Sequence, residues 1–189
     1  MNLPKSRVVF SAEELNARIK ELGAQITADL NDGKPIVCVC VLRGAVLFFA
    51  DLMKYIDSDQ VVFDFVTLCS YENALAVGGN MQTTGKIKLI QDMRESVEGK
   101  HVLVVEDIVD SGNTVAYLRQ YFENKNAIDV KIACLLDKPM TRKVPVDVDY
   151  VAFTLERPAY IIGYGLDDDQ KYRNLNAISS FPSHPFCFI

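Results

Sequence analysis

Leu15, Ile19, Leu22, Ile26 and Leu30 recur at steps of three and four, with polar residues between them, which predicts an amphipathic helix. Ser11 stands before this stretch with Glu14 three residues on, the pattern of a capping box, and Gly33 would close the far end. The pattern then changes. "IVCVCVL" from Ile36 is an unbroken apolar run and predicts a strand covered on both faces, followed by Arg43-Gly44 and a helix through about Tyr55. "VVFDFVTL" from Val61, "HVLVV" from His101, "VKIACLL" from Val130 and "DYVAFTL" from Asp149 predict four more strands. "TVAYLRQYF" from Thr114 predicts a helix between two of them. Buried strands alternating with helices imply an α/β fold, with a central, mainly parallel sheet flanked by helices.

Two stretches do not fit either period. Residues 70–86, "SYENALAVGGNMQTTGK", combine turn chemistry with paired glycines, and a loop this long in a domain is more often functional than idle. The tail "FPSHPFCFI" is too aromatic for a solvated end, so it is expected to pack on the core or on another subunit.

The length of 189 residues suits one domain, and the hydrophobic share of 49% suits a globular one. A net charge of -5 gives no general attraction to nucleic acid or to an anionic membrane, so any phosphate site must be a local arrangement. Cys38, Cys40, Cys69, Cys134 and Cys187 form no CxxC pair and no zinc-like cluster with a histidine. Buried free thiols in a reducing compartment are expected, with Cys38 and Cys40 facing one side of a sheet. The start "MNLPKSRVVF" lacks the basic start and long apolar core of a signal peptide. Arg43 and Gly44 split the most hydrophobic stretch well short of the ~20 residues of a membrane span. A cytoplasmic protein is expected.

Chemistry concentrates in "HVLVVEDIVDSGNT", residues 101–114. In open parallel sheets, ligands bind beyond the carboxyl ends of the strands, where Glu106 and Asp107 fall. Gly112 permits unusual backbone angles, while Ser111, Asn113 and Thr114 add donors to the free N–H groups of the next helix. That is a nest for one phosphate. Neither GxxxxGK[ST] nor GxGxxG is present in this unit. Carboxylates beside a phosphate repel it unless they do something else. They accept hydrogen bonds from vicinal sugar hydroxyls, or bind a magnesium ion that offsets their charge. A phosphorylated ribose with metal meets both demands. A plain helix cap at Ser111 would account for Asp110 to Thr114 but leaves Glu106 and Asp107 without a task.

"VLVVEDIVDSGNT" resembles the phosphoribosyl-pyrophosphate signature of type I phosphoribosyltransferases, and Glu-Asp-Ile-Val-Asp-Ser-Gly resembles the form of the hypoxanthine-guanine branch. "VCVLRGAVLFFADLM" (39–53) is similar to that family's first pyrophosphate loop and helix, and Ser70-Tyr71 to the opening of its mobile lid. "LLDKP" (135–139) and "ERPAYIIGYGLDDDQKYRNLNAI" (156–178) resemble its purine-binding and C-terminal segments. The resemblance implies the type I fold in one domain over 1–189, with a core of about 35–155. A small hood would come from the N-terminal segment and about 156–189, with a lid over 70–86.

It also implies roles. Glu106 and Asp107 would hold the ribose hydroxyls near a Mg2+ ion, and Ser111, Gly112, Asn113 and Thr114 the 5′-phosphate. Asp110 would lie near N7 of the purine as general base or proton relay, partly desolvated and so raised in pKa. Lys138 would recognise a 6-oxo group, Tyr160 would stack on the base, and the backbone of Ile161 and Ile162 would read its edge. Asp167 would line the purine site and bind magnesium; Arg43, Gly44 and Arg173 would contact pyrophosphate. Arg43 departs from the family's usual lysine, and the family carries a cis peptide before this position. The lid beyond Tyr71 is no close match.

The implied reaction is transfer of phosphoribose from phosphoribosyl pyrophosphate to hypoxanthine or guanine, giving IMP or GMP and pyrophosphate, with Mg2+. The expected partners are these small molecules, with neither nucleic acid nor membrane, in a homodimer or homotetramer. Two rivals are weighed. A receiver-type signalling domain has its acid pair near its start, whereas about a hundred residues precede this one. A non-catalytic phosphoribosyl-pyrophosphate-binding regulator of the same fold would want a basic face, against which the charge of -5 argues.

Overall fold

The strand at Ile36 is the pivot of the main sheet. In the computed structural model, which describes residues 7–70, 87–157 and 159–180, β1 (Arg7–Phe10) and helix α1 (Ala12–Asp29) lead into β2 (Ile36–Leu42). Helix α2 (Val46–Leu52) and a 3-10 turn (Met53–Tyr55) follow, then β3 (Val61–Ser70), β4 (Ile87–Gln91) and β5 (His101–Val109). Helix α3 (Asn113–Glu123), β6 (Asp129–Asp137), β7 (Tyr150–Thr154), β8 (Ile161–Ile162) and β9 (Ile178–Ser180) complete the order. Six strands run β4-β3-β2-β5-β6-β7; all neighbours are parallel except β3 and β4. The expected α/β architecture is therefore present.

Side-chain alternation along the central strands divides the core into two layers. Cys38, Cys40, Leu103, Val105 and Leu135 face α1 and α2, meeting Leu15, Ile19, Leu22, Ile26, Phe48 and Leu52. Val37, Val39, Val102, Val104 and Ile132 face α3, meeting Val115, Leu118 and Phe122. Burying such a side chain contributes about 1.5–3 kcal/mol, so these rows dominate stability. Cys38, Cys40 and Cys134 are buried free thiols, and burial pushes those of Cys38 and Cys40 up to about 12. Among the described residues, no helix is long and apolar enough to cross a membrane.

The capping box closes as expected. Ser11 N–H donates to Glu14 at 2.8 Å and Glu14 N–H donates to Ser11 Oγ at 3.2 Å. Gly33 does not close α1, because the cap is Leu30, whose N–H reaches Ile26 O; Gly33 turns the chain later at φ 77°. Four strands escaped the pattern. β1, β4, β8 and β9 have 4, 5, 2 and 3 residues, too short for alternation to register.

A second, three-stranded antiparallel sheet runs β1-β9-β8, pairing Arg7 with Ser180 and Ile162 with Ser179. Segments from both ends of the chain thus meet. The Tyr164 hydroxyl donates to Asp51 on α2 at 2.6 Å and ties this sheet's loop to the main one. Tyr71, the remainder of the expected lid and the aromatic tail lie outside the described residues.

Candidate active site

β5 carries Glu106 and Asp107 to opposite faces near its carboxyl end. Glu106 is only 7% exposed, and its Oε2 has no hydrogen-bond partner among the described residues. Burial first, and the neighbouring Asp107 charge second, push its carboxyl well above the ordinary range. Asp107 is also raised by burial, although backbone N–H groups and then Arg173 oppose the rise. Its Oδ1 accepts the Ile108 N–H at 2.8 Å.

Asp107 lies against Gly44, so closely that a Cβ there would overlap its carboxylate. The Leu42–Arg43 peptide just before this glycine is cis, as the resemblance implied, and Arg43 is exposed. Gly165, at φ 97°, packs on the Gly44 carbonyl, where any side chain would collide. Two glycines thus let three segments converge on one carboxylate.

Beyond Asp107 the chain leaves the sheet. Gly112, at φ 87°, is the N-cap of α3 and receives no side-chain cap; of the rival reading, a plain helix cap at Ser111, only a long contact remains, the Asn113 N–H donating to Ser111 Oγ at 3.5 Å. The N-terminus of α3, with its positive dipole end, faces this loop. Behind the loop, Ser111 O accepts the N–H groups of Lys143 at 2.9 Å and Val144 at 3.0 Å. Arg142 packs its Cδ near Gly112 and pairs with Asp137, both side chains being 15–16% exposed. Its Nη1 is buried without a hydrogen-bond partner among the described residues.

Next to Asp107 lies a cavity of about 200 Å³, lined by Lys138, Tyr160, Ile161 and Asp167 among the expected residues. Ile108, Ala159 and Leu166 also line it and were not foreseen, because apolar loop residues carry no chemical signature. Ile162 is fully buried and does not line the cavity. Burial lowers the Lys138 ammonium pKa while Asp110 and Asp107 raise it, and its Nζ reaches Ala159 O at 3.4 Å. The Tyr160 hydroxyl donates to Asp168 at 3.0 Å, and burial followed by this contact pushes the phenol up to about 12. Asp167 pairs with Arg173 at 2.7 Å, and Arg173 also donates to Gly165 O at 2.6 Å.

Asp110 departs from expectation. It is exposed at the end of β5, so the desolvation expected there falls on Glu106 and Asp107 instead. Its charge still reaches Lys138. Ser70 ends β3. Among the described residues, no group of three or more His, Cys, Asp or Glu side chains is placed to hold a metal. The orphaned Glu106 oxygen beside Asp107 still suits a hard cation, since magnesium needs only one or two carboxylates, with water and phosphate completing its shell.

A sheet-end acid pair, a helix-capping glycine loop and an adjoining cavity suit a sugar phosphate and a flat base, and the comparisons agree. The model of the phosphoribosyl transferase domain matches residues 11–170. The chain belongs to the phosphoribosyltransferase family. Hypoxanthine-guanine phosphoribosyltransferases of Streptococcus thermophilus and Bacillus subtilis are 42% and 41% identical over 169 residues, 89% of either chain. A solved hypoxanthine-guanine phosphoribosyltransferase of Bacillus anthracis superposes with a TM-score of 0.83 at 40% identity, covering 94% of this chain and 99% of that one. A Trypanosoma cruzi hypoxanthine phosphoribosyl transferase superposes at 0.84 with 34% identity, covering 96% and 94%. That structure concerns the role of its C-terminal region in oligomeric state and activity. The acid pair and the cavity of this family member thus draw on the ends of β5 and β6 and on the residues around β8.

Proposed function

We propose that this phosphoribosyltransferase salvages purines, converting hypoxanthine or guanine with 5-phosphoribosyl 1-pyrophosphate to IMP or GMP and pyrophosphate. One observation carries the reading. The cavity holding Lys138 and Tyr160 adjoins Asp107, one residue from Glu106 and three from the glycine loop's first acid. A base and an activated ribose bound there would be neighbours, which removes the entropic cost of bringing them together.

Ser111 to Thr114 and the N-terminus of α3 bind the 5′-phosphate, and Glu106 and Asp107 accept from the ribose hydroxyls. Lys138 donates to the 6-oxo oxygen, for which adenine offers an amino group instead. Tyr160 stacks on the ring, the backbone of Ile161 reads its edge, and Asp110 takes the proton at N7. Magnesium, held through Asp167 with Glu106 and Asp107 near it, supplies positive charge to the leaving pyrophosphate when bound. Arg43 and Arg173 add to that charge, and the Gly44 amide region gives the leaving group room. A lid opening at Ser70 and Tyr71 keeps water from the activated sugar.

The same reading puts the whole chain, core and hood together, in one functional unit. It makes the protein a cytoplasmic homodimer or homotetramer. Exposed Val46 and Phe63 support self-association, as does the oligomer theme of the T. cruzi relative.

The test is initial rates with hypoxanthine, guanine, xanthine and adenine, with and without Mg2+, on wild type and Asp110→Asn. We expect turnover with 6-oxopurines only, dependent on Mg2+ and slowed about 10²-fold or more by the substitution. A mutant as fast as wild type removes Asp110 from the chemistry. No turnover with any base favours a binding protein instead.

A further inference from the structure

The run Asp167-Asp168-Asp169 has one acid with a role so far, and the structure separates the three. Asp167 takes Arg173 at 2.7 Å and the Gln170 N–H at 2.8 Å. Asp169 is 88% exposed in its side chain, with Lys171 at 3.8 Å. Asp168 turns the other way and accepts the Tyr160 hydroxyl at 3.0 Å.

Both ends of that hydrogen bond are mounted rigidly. Asp168 N–H donates to Lys171 O at 3.2 Å and Lys171 N–H returns to Asp168 O at 3.0 Å, closing a tight turn. Asp169 and Gln170 occupy left-handed conformations at φ 48° and 66°, which fixes where the Asp168 side chain leaves the turn. Tyr160 directly precedes β8, whose two residues pair with Ser180 and Ser179. The bond therefore joins two fixed points beside the cavity that Tyr160 and Asp167 line. A half-buried phenol can usually satisfy itself with water and leave its ring mobile. An ionised carboxylate is a stronger acceptor, and it restricts the ring to one orientation.

We propose that Asp168 is a positioning residue: by holding the Tyr160 hydroxyl, it presets the aromatic wall against which the base stacks. This deepens the purine-salvage reading and rests on it for the identity of the base. The ring is ordered before the base arrives, so binding loses less side-chain freedom. The benefit falls on the base and leaves phosphoribosyl pyrophosphate nearly untouched, because Asp168 acts through the Tyr160 hydroxyl and Tyr160 lines the cavity.

The test uses the whole chain and combines kinetics with a signal independent of turnover. Asp168→Ala, Asp168→Asn, Tyr160→Phe and the double variant Asp168→Ala/Tyr160→Phe are compared with wild type. Tyrosine labelled with 13C at Cζ reports phenol hydrogen bonding, and the signal missing from Tyr160→Phe identifies Tyr160. We expect that signal to move in Asp168→Ala and to move less in Asp168→Asn, which keeps an acceptor. We expect KM for hypoxanthine to rise about three- to tenfold in Asp168→Ala and Tyr160→Phe, and no further in the double variant. KM for phosphoribosyl pyrophosphate should stay within about twofold. Additive effects, an unchanged base KM, or equal rises in both KM values would overturn the proposal. If wild type turns over no base, the salvage reading fails; the Cζ signal still decides whether Asp168 anchors the ring.

Discussion

At the amino ends of the parallel strands, the charges are matched. His101 opens β5 with Nδ1 2.8 Å from Asp129 and Nε2 3.1 Å from Asp32, which Lys34 meets at 3.2 Å. Two acceptor-only carboxylates on both ring nitrogens favour the imidazolium. At the carboxyl ends of the same sheet, Glu106 keeps a buried oxygen and Arg142 a buried nitrogen without a partner among the described residues, and Asp107 is raised by burial. One strand thus runs from a satisfied end to a frustrated one. The satisfied end holds the fold, and under the proposed function the frustrated end takes a ligand that brings cations and hydroxyl donors.

Substitutions at the two ends should separate the two roles. The largest effect is expected at Gly44, where a Cβ overlaps the Asp107 carboxylate. Gly44→Ala should cut turnover by about 10²-fold or more, because misplacing a substrate-contacting group by an ångström is that costly. Steady-state rates check this, and a variant within twofold of wild type would show that the convergence on Asp107 is not needed.

Arg142 comes next. Removing one partner of a buried pair leaves the other uncompensated, at a cost of about 3–5 kcal/mol. Arg142→Met should therefore lower stability strongly in denaturant melts, while the double variant with Asp137→Leu recovers much of the loss. KM for phosphoribosyl pyrophosphate should rise in both, since Arg142 backs the loop at Gly112.

Glu106→Gln should raise thermal stability while lowering activity. A carboxyl whose folded pKa is raised weakens the fold once pH exceeds its unfolded value near 4.3, because the unfolded chain ionises more readily. A neutral amide removes that penalty, and each kcal/mol recovered adds about 2–4 °C for a domain of this size. Calorimetry at pH 7 checks the sign, and a lower Tm contradicts it.

The smallest effect belongs to the satisfied end. Burial would lower the His101 pKa, but Asp129 and Asp32 together raise it. A raised folded pKa means that the contribution is complete below about pH 6.5 and fades as pH climbs through the folded value. Wild type should lose stability between pH 7 and 9 relative to His101→Gln, with turnover at 25 °C unchanged. Equal slopes of Tm against pH would dissolve the contrast between the ends.

The same contrast explains what could be read from sequence. The α1 cap, its apolar stripe and the buried central strands follow from spacing within a few residues, so periodicity reveals them. Glu106 to Thr114 are also local, and their odd mixture of acids with a glycine nest announces the proposed sugar-phosphate site. The meeting of Gly44, Asp107 and Gly165 depends on segments about sixty residues or more apart, and no single stretch reports it. The burial of Glu106 and the exposure of Asp110 are equally invisible, since β5 buries the one and ends before the other. Asp168 looks like one more surface acid until the turn after β8 aims it at Tyr160.

The most direct measurement is a crystal structure with 5-phosphoribosyl 1-pyrophosphate and Mg2+. We expect the 5′-phosphate over Ser111 to Thr114 and the ribose hydroxyls on Glu106 and Asp107. Density at the amino ends instead, for example in the groove of Asn31, Lys34 and Asp59, would contradict the account.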